Sequence, residues 1–376
     1  MQTLLEIKRD KKISSRELAK SIGSSKTTID NGLRGKTDEF KFEVFLKLVH
    51  SLCDSSSEQR ELIHRYILAC KTPLNIRKAL CYCHAMGEYE LLNEIIQKHS
   101  DKKEIKKYID VYKIQNKRNQ NIARGKSLLD EIEEQDFSSD TDCQVCLKVL
   151  NMEAMYDIQN YNAIIPIAER TKILLDELNS GYIKSCLEMK YKERLAYIYL
   201  LKNDLKKCRD VCMEIINSEM DITIIKATAW CCLGESYTFE DPLKSAKYIK
   251  KAIALCEECE VPKKVQKFRA FHTTLAHLYI ENGMSLDEIR FDLIHISEKA
   301  YFECMHGDYN KGIKLYEQMK IEFKEFSAFQ QYSYSKVNND IIGLKKALES
   351  FELMGNIFYA QYVKKELLKE EVTVHE

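Results

Sequence analysis

The chain has 376 residues, with 58 basic and 58 acidic side chains, so its formal net charge is zero and no global field draws it to nucleic acid or membrane. Only 12 glycines and four prolines occur, and apolar residues recur at three-and-four spacing, which excludes a Pro/Gly-rich chain and places this one in the all-α class. One compact core usually stops growing below this length, whereas a solenoid adds core repeat by repeat.

The amino-terminal segment departs from neutrality. Residues 1–36 carry nine basic side chains against four acidic ones, a local excess of five. The pattern predicts four short helices. Gln2 to Lys11 forms the first. The second starts at Ser14 as cap, with Glu17 as its capping-box partner, and stops at Gly23. The third begins at Ser24 or Ser25 and runs to Gly35, and Phe40 to Leu52 makes the fourth. Leu18, Ala19, Ile22, Ile29 and Leu33 hold the middle two helices across a tight glycine-containing turn, the arrangement of a helix-turn-helix reader of double-stranded DNA. Ser25, Lys26, Thr27, Thr28, Asn31 and Arg34 are left outside as candidate DNA-binding residues, the hydroxyls and lysine for phosphate, asparagine for adenine and arginine for guanine. Asp30 does not suit that role and is expected to cap or to hold a lysine. The alternative for the whole segment is a helical cap on the first repeat of a solenoid.

Beyond residue 55 the pattern changes to helical hairpins. Ala229 to Tyr237, with Trp230, Leu233, Gly234 and Tyr237 in register, followed by Asp241-Pro242-Leu243 and Ala246, fits the tetratricopeptide template. Gly234 is expected where a neighbouring helix comes close. One hairpin cannot bury its apolar face alone, and copies are predicted to begin at Tyr89, Ile122, Tyr161, Leu205, Leu243, Leu286, Tyr309 and Ile341. Their spacing runs from 23 to 44 residues, a degenerate array. The expected domains are a helix-turn-helix head over 1–55, a tetratricopeptide-like α-solenoid over 56–340, and carboxyl-terminal capping and dimerisation helices over 341–376.

The first helix of each pair lines the concave face of such a stack. Lys190, Glu193, Tyr197, Glu235, Thr238, Phe239, His277, Tyr301 and Lys336 are predicted to point into it, with Lys226 and Asn356 near the ends of the row. Mixed charge and aromatic residues in a groove suit an extended peptide. The last segment stays strongly amphipathic, and Phe351, Phe358, Tyr362 and Leu367 are candidate contacts with a second copy.

No glycine-rich phosphate loop, histidine pair or nucleophile elbow appears, so no catalytic residue is expected. Cys143-x-x-Cys146 and Cys256-x-x-Cys259 have zinc-knuckle spacing but lie far apart without a completing histidine, so neither metal nor other cofactor is expected. Cys208 and Cys212 fill small and apolar template positions. No signal segment and no long apolar run occur, which predicts a chain kept in a reducing cytoplasm, away from membrane.

Tyr199 to Ile216 (YLLKNDLKKCRDVCMEII) and Ile225 to Ile253 (IKATAWCCLGESYTFEDPLKSAKYIKKAI), behind a helix-turn-helix head, resemble the arbitrium receptor (AimR) family of temperate Bacillus phages. The resemblance implies a homodimeric transcription regulator in the cytoplasm of the bacterial host. It binds operator DNA when empty and is released by a signalling peptide of about six residues, which shifts the phage from lysis to lysogeny. Lys226 and Asn356 fall near polar groove residues of that family. Glu235 stands where the family is expected to have an asparagine, and the acidic replacement calls for a basic group in the ligand. A quorum-sensing regulator of bacterial genes, or a scaffold acting through protein partners without DNA, are the other readings.

Overall fold

The computed structural model describes residues 2–135, 140–323 and 325–375, and of the carboxyl-terminal segment the side chains beyond residue 369 lie outside the described residues. Helices α1 Gln2–Asp10, α2 Ser15–Ile22, α3 Lys26–Leu33 and α4 Phe42–Leu52 make the head. The sequence cues act as read. Ser14 and Glu17 form a reciprocal capping box, Gly23 ends α2 in the left-handed region at φ 67°, and Ser25 caps α3. Gly32 on α3 leaves the space that the Phe40 ring fills. Asp30 neither caps nor holds a lysine; it accepts the Ser15 hydroxyl at 2.6 Å, which ties α3 to α2.

The body follows as α5 Ser56–Ala69, α6 Pro73–Met86, α7 Tyr89–Lys98, α8 Lys106–Asn119, α9 Lys126–Glu133, α10 Thr141–Asp157, α11 Tyr161–Glu177, α12 Tyr182–Leu201, α13 Leu205–Ile216, α14 Thr223–Glu235 and α15 Pro242–Glu257. It continues with α16 Lys264–Asn282, α17 Ile296–His306, α18 Tyr309–Phe323, α19 Ala328–Val337, α20 Ile341–Met354 and α21 Ile357–His375. No strand occurs among the described residues, and no helix among them is long and apolar enough to cross a membrane.

One turn chemistry recurs between paired helices. A left-handed residue is followed by a residue whose side chain caps the next helix: Gln159 then Asn160, Asn203 then Asp204, Asn339 then Asp340. Asparagine tolerates positive φ at two of these turns, Gln159 adopts it at the third, and in each a short polar side chain then reaches the free N–H groups of the first turn. At Gly234 a Cβ would come within 2.9 Å of the Ser245 carbonyl and 2.7 Å of Ile249, so only a bare backbone lets α14 and α15 pack at this distance.

Two predicted repeats differ. Ile122 lies in the exposed turn ahead of α9. Leu286 opens a single 3₁₀ turn, Leu286–Glu288, because positive φ at both Gly283 and Ser285 interrupts any helix there. α16 therefore packs on α15 and α17 without the second hairpin helix that the template places at Leu286.

The apolar core of the head is continuous with that of the first hairpins, running from Leu4 to Leu201. Phe42 of α4 packs its ring against Tyr66, Tyr82 and Tyr182, and its N–H donates to the buried Asn75 at 3.1 Å.

The last two helices turn three of the four candidate dimer residues inward. Phe351, Phe358 and Tyr362 are buried at 1%, 1% and 6% exposure, and Leu367 is half-buried beside them, all covered by helices of the same chain. They are spent on closing the body, because α20 and α21 fold back onto α11 and the turn after α12: Asn162 reaches the Leu353 carbonyl of α20 at 3.3 Å, and Gln361 of α21 reaches Asn203 at 3.3 Å. Among the described residues, the large apolar side chains left outward on these helices are Ile342, Leu353, Ile357 and Leu368.

Candidate functional site

Between the first helices of the hairpins and the returning α21 lies a cavity of ≈ 560 Å³. Its walls come from α8, α10, α12, α14, α15, α16, α17, α19 and α21, and its two ends differ chemically.

At one end, two carboxylates sit among cations. Glu193 is 3% exposed and takes Lys190 at 2.8 Å, Arg194 at 3.0 Å and Lys267 at 3.3 Å. Glu153 faces Lys190 at 3.8 Å and Arg194 at 3.9 Å. Burial pushes the Glu153 carboxyl up, but Lys190 and Arg194 outweigh it and hold it down at about 2. Glu193 is likewise held well below the usual range against its burial. Arg118 and Arg124 share Asp157, at 2.8 and 2.7 Å. Lys263 donates to the Asn119 carbonyl at 2.9 Å, and burial together with Lys267, Lys190 and Arg118 lowers its ammonium to about 7. Six cations (Arg118, Arg124, Lys190, Arg194, Lys263, Lys267) thus face three carboxylates (Glu153, Glu193, Asp157), a surplus of three positive charges when all are ionised. Of the six, Lys190 is buried, Arg124 is exposed and the other four are half-buried, and a surplus of positive charge in a partly covered cavity suits an anionic group.

At the other end, Glu235 accepts the Tyr359 hydroxyl at 2.6 Å and the Cys231 thiol at 3.4 Å. Burial pushes its carboxyl up to about 7, with those two hydrogen bonds pulling the other way. Glu298 is pushed up to about 7 by burial as well; it accepts the Ser297 hydroxyl at 2.5 Å and lies 3.9 Å from His277. Phe329, Tyr359 and Tyr362 form the apolar wall, with the Tyr359 ring 4.8 Å from Phe329 and 6.4 Å from Tyr362. His277 stands edge-on to Tyr362 at 5.3 Å, and its Nε2 is buried without a partner. These groups can face a cation flanked by apolar surface.

Of the groove residues expected from sequence, Lys190, Glu193, Tyr197, Glu235, Thr238 and His277 line this cavity. Five do not. Lys226 precedes Glu235 by nine residues on α14, and at about 100° per residue that is half a turn away, so it faces outward where Cys231, Glu235 and Thr238 face in. Phe239 packs behind α21, its ring 5.1 Å from Phe358 and 4.6 Å from Tyr362. Tyr301 and Lys336 converge with Tyr332 on the buried Glu281, Lys336 at 2.8 Å, because a buried carboxylate needs partners. Asn356 is 3% exposed and accepts the Tyr359 N–H at 3.2 Å, capping α21 and so placing Tyr359. Arg118, Glu153, Arg194, Lys267, Glu298 and Tyr359 were missed; ionic residues at core-facing helix positions were the available signal.

In the head, Ser25, Lys26, Thr27, Thr28 and Arg34 are exposed and Asn31 is half-buried. Ser25 is engaged locally, capping the Thr28 N–H at 3.0 Å and bonding its hydroxyl at 2.8 Å. Arg16, Lys20 and Lys36 are exposed as well.

Over residues 59–369 the chain matches the family model described as AimR transcriptional regulator-like. An uncharacterized protein of Bacillus anthracis is 29% identical over 253 residues, covering 66% of this chain and 93% of the relative. Two solved structures share the fold. One described as "Structure of phAimR-Ligand" has a TM-score of 0.77 at 18% identity, over 89% of this chain and 99% of that one. One described as "Structure of SeMet-phAimR" has a TM-score of 0.70 at 17% identity, over 98% and 96%.

Proposed function

The chain belongs to the AimR transcriptional regulator-like family, and from that premise we propose that it is a peptide-responsive DNA-binding regulator that acts as a homodimer in the phage choice between lysis and lysogeny. The observation that carries the reading is the polarised cavity. Its volume of ≈ 560 Å³ falls within the 300–1,000 Å³ usual for ligand sites. The cationic end receives the free carboxylate of a short peptide, through Lys263, Lys267 and Arg194. The end holding Glu235 and Glu298 receives a basic side chain, whose charge keeps both carboxyls ionised. One of the solved relatives carries a ligand by its description.

DNA is read by the exposed face of α3, with Lys26, Thr27 and Arg34 foremost and with Arg16, Lys20 and Lys36 on phosphates. The two sites lie on different parts of one chain, so coupling requires two arrangements of the body that peptide and operator prefer differently. The Tyr359–Glu235 bond joins α21 to α14 across the groove, and a peptide that takes Glu235 changes the hold on the last helix.

The test uses the full chain, an operator fragment selected from random duplexes and a library of synthetic hexapeptides. A peptide that binds loses at least tenfold, about 1.4 kcal/mol, on amidation of its carboxyl end, and it weakens operator binding in a gel-shift titration. Unchanged operator affinity at saturating peptide ends the proposal.

A further inference from the structure

The cavity uses none of the sulfurs of Cys208, Cys212 and Cys232. Cys208 and Cys212 sit one turn apart on α13, Cys232 faces them from α14, and the three thiols lie within 4.8 Å of one another with no exposed surface. Cys208 Sγ is 3.7 Å from Cys232 Sγ. Sulfurs on one tetrahedral metal stand about 3.8 Å apart, and the narrower angles of a pyramidal trivalent centre draw them a few tenths of an ångström closer, so the pair reaches ligand spacing with a small approach. Among the described residues this is the one group of three such side chains whose ligand atoms converge.

We propose that Cys208, Cys212 and Cys232 form a three-sulfur binding site for a trivalent thiophilic ion of the arsenite class. Residual charge selects the ion. Three thiolates around a monovalent copper leave two negative charges, around a divalent zinc or mercury one, and around trivalent arsenic none. The site is dry, and the neighbouring Arg209 is already engaged by Glu240 at 2.5 Å and the Ser236 carbonyl at 2.7 Å, so any leftover charge stays uncompensated in an apolar interior. Zinc further requires a fourth ligand, and the cluster has three. Binding exchanges the three hydroxyls of As(OH)₃ for sulfur: three As–O and three S–H bonds break, three As–S bonds form, three waters leave and arsenic stays trivalent. The product ties α13 to α14 three residues before Glu235 of the groove wall.

The experiment titrates the reduced full chain with sodium arsenite, and with zinc and Cu(I) separately. Expected are one arsenic per chain by native mass spectrometry, loss of three thiols from the count reactive towards a thiol reagent, and a raised melting temperature. Cys208→Ala, Cys212→Ala and Cys232→Ala each lose at least tenfold in affinity, while Cys186→Ala, a buried thiol on α12, binds as the parent does. Arsenite that protects no thiol of the parent chain overturns the proposal whether or not the variants fold. So does arsenite retained by Cys232→Ala, or zinc bound more tightly than arsenite.

Discussion

On α3 the candidate DNA-binding side chains Lys26, Thr27, Thr28 and Arg34 stand in water. In the groove Lys190, Glu193, Arg194 and Lys267 are bonded to one another, and Glu193 is 3% exposed. A charge in water costs the fold nothing and is free to meet a partner. A charge under cover must be matched, so ligand recognition and stability share the same atoms there. The head can therefore change its contacts without changing its fold, while the groove cannot.

The sharpest way to break that contrast is Glu193→Gln. It leaves Lys190, Arg194 and Lys267 around a neutral amide, and a loss of about 3–5 kcal/mol is expected in urea unfolding. An unchanged midpoint would mean that the cations find water and that the groove behaves like the head. Gly234→Ala comes next: the added Cβ meets the Ser245 carbonyl at 2.9 Å, and a loss of about 2 kcal/mol is expected as α15 is pushed away.

The pH dependence separates the two ends of the groove. Glu235 and Glu298 keep protons up to about 7 in the folded chain against an ordinary 4.5, so between those values the folded state binds more protons than the unfolded one. Stability therefore falls as pH rises from about 4.5 to about 7, by about 3 kcal/mol for each of the two carboxyls. The double variant Glu235→Gln, Glu298→Gln should flatten that slope. Glu153, held at about 2, acts oppositely: its contribution is complete above 4.5 and is lost as pH falls towards 2. The smallest effect on the fold belongs to the head. Arg34→Ala should shift stability by no more than about 0.5 kcal/mol while costing about tenfold in operator affinity by gel shift.

What could be read from the residues followed from local rules. Ser14, Glu17, Gly23 and Ser25 announce the head because caps and left-handed stops act within four residues. Tyr89, Tyr161, Leu205, Tyr309 and Ile341 open helices as their hairpin template requires, and Gly234 is small for the reason its place in that template implies. Periodicity also separates exposed polar positions from buried apolar ones, which is why the outer face of α3 could be named.

Partner choice across the molecule was decided by tertiary structure. Tyr301 and Lys336 look like groove residues by position, yet a carboxylate on another helix, Glu281, claims them. Arg194 and Lys267 sit where spacing calls for core, and only the meeting of α12 with α16 makes them an ionic floor. The return of α21 turns Phe358 and Tyr362 into interior residues and brings Tyr359 to Glu235, 124 positions away along the chain. Spacing along one helix tells which face a side chain occupies. It carries no record of what folds down upon that face, because that depends on how successive hairpins accumulate their angles until the chain closes on itself.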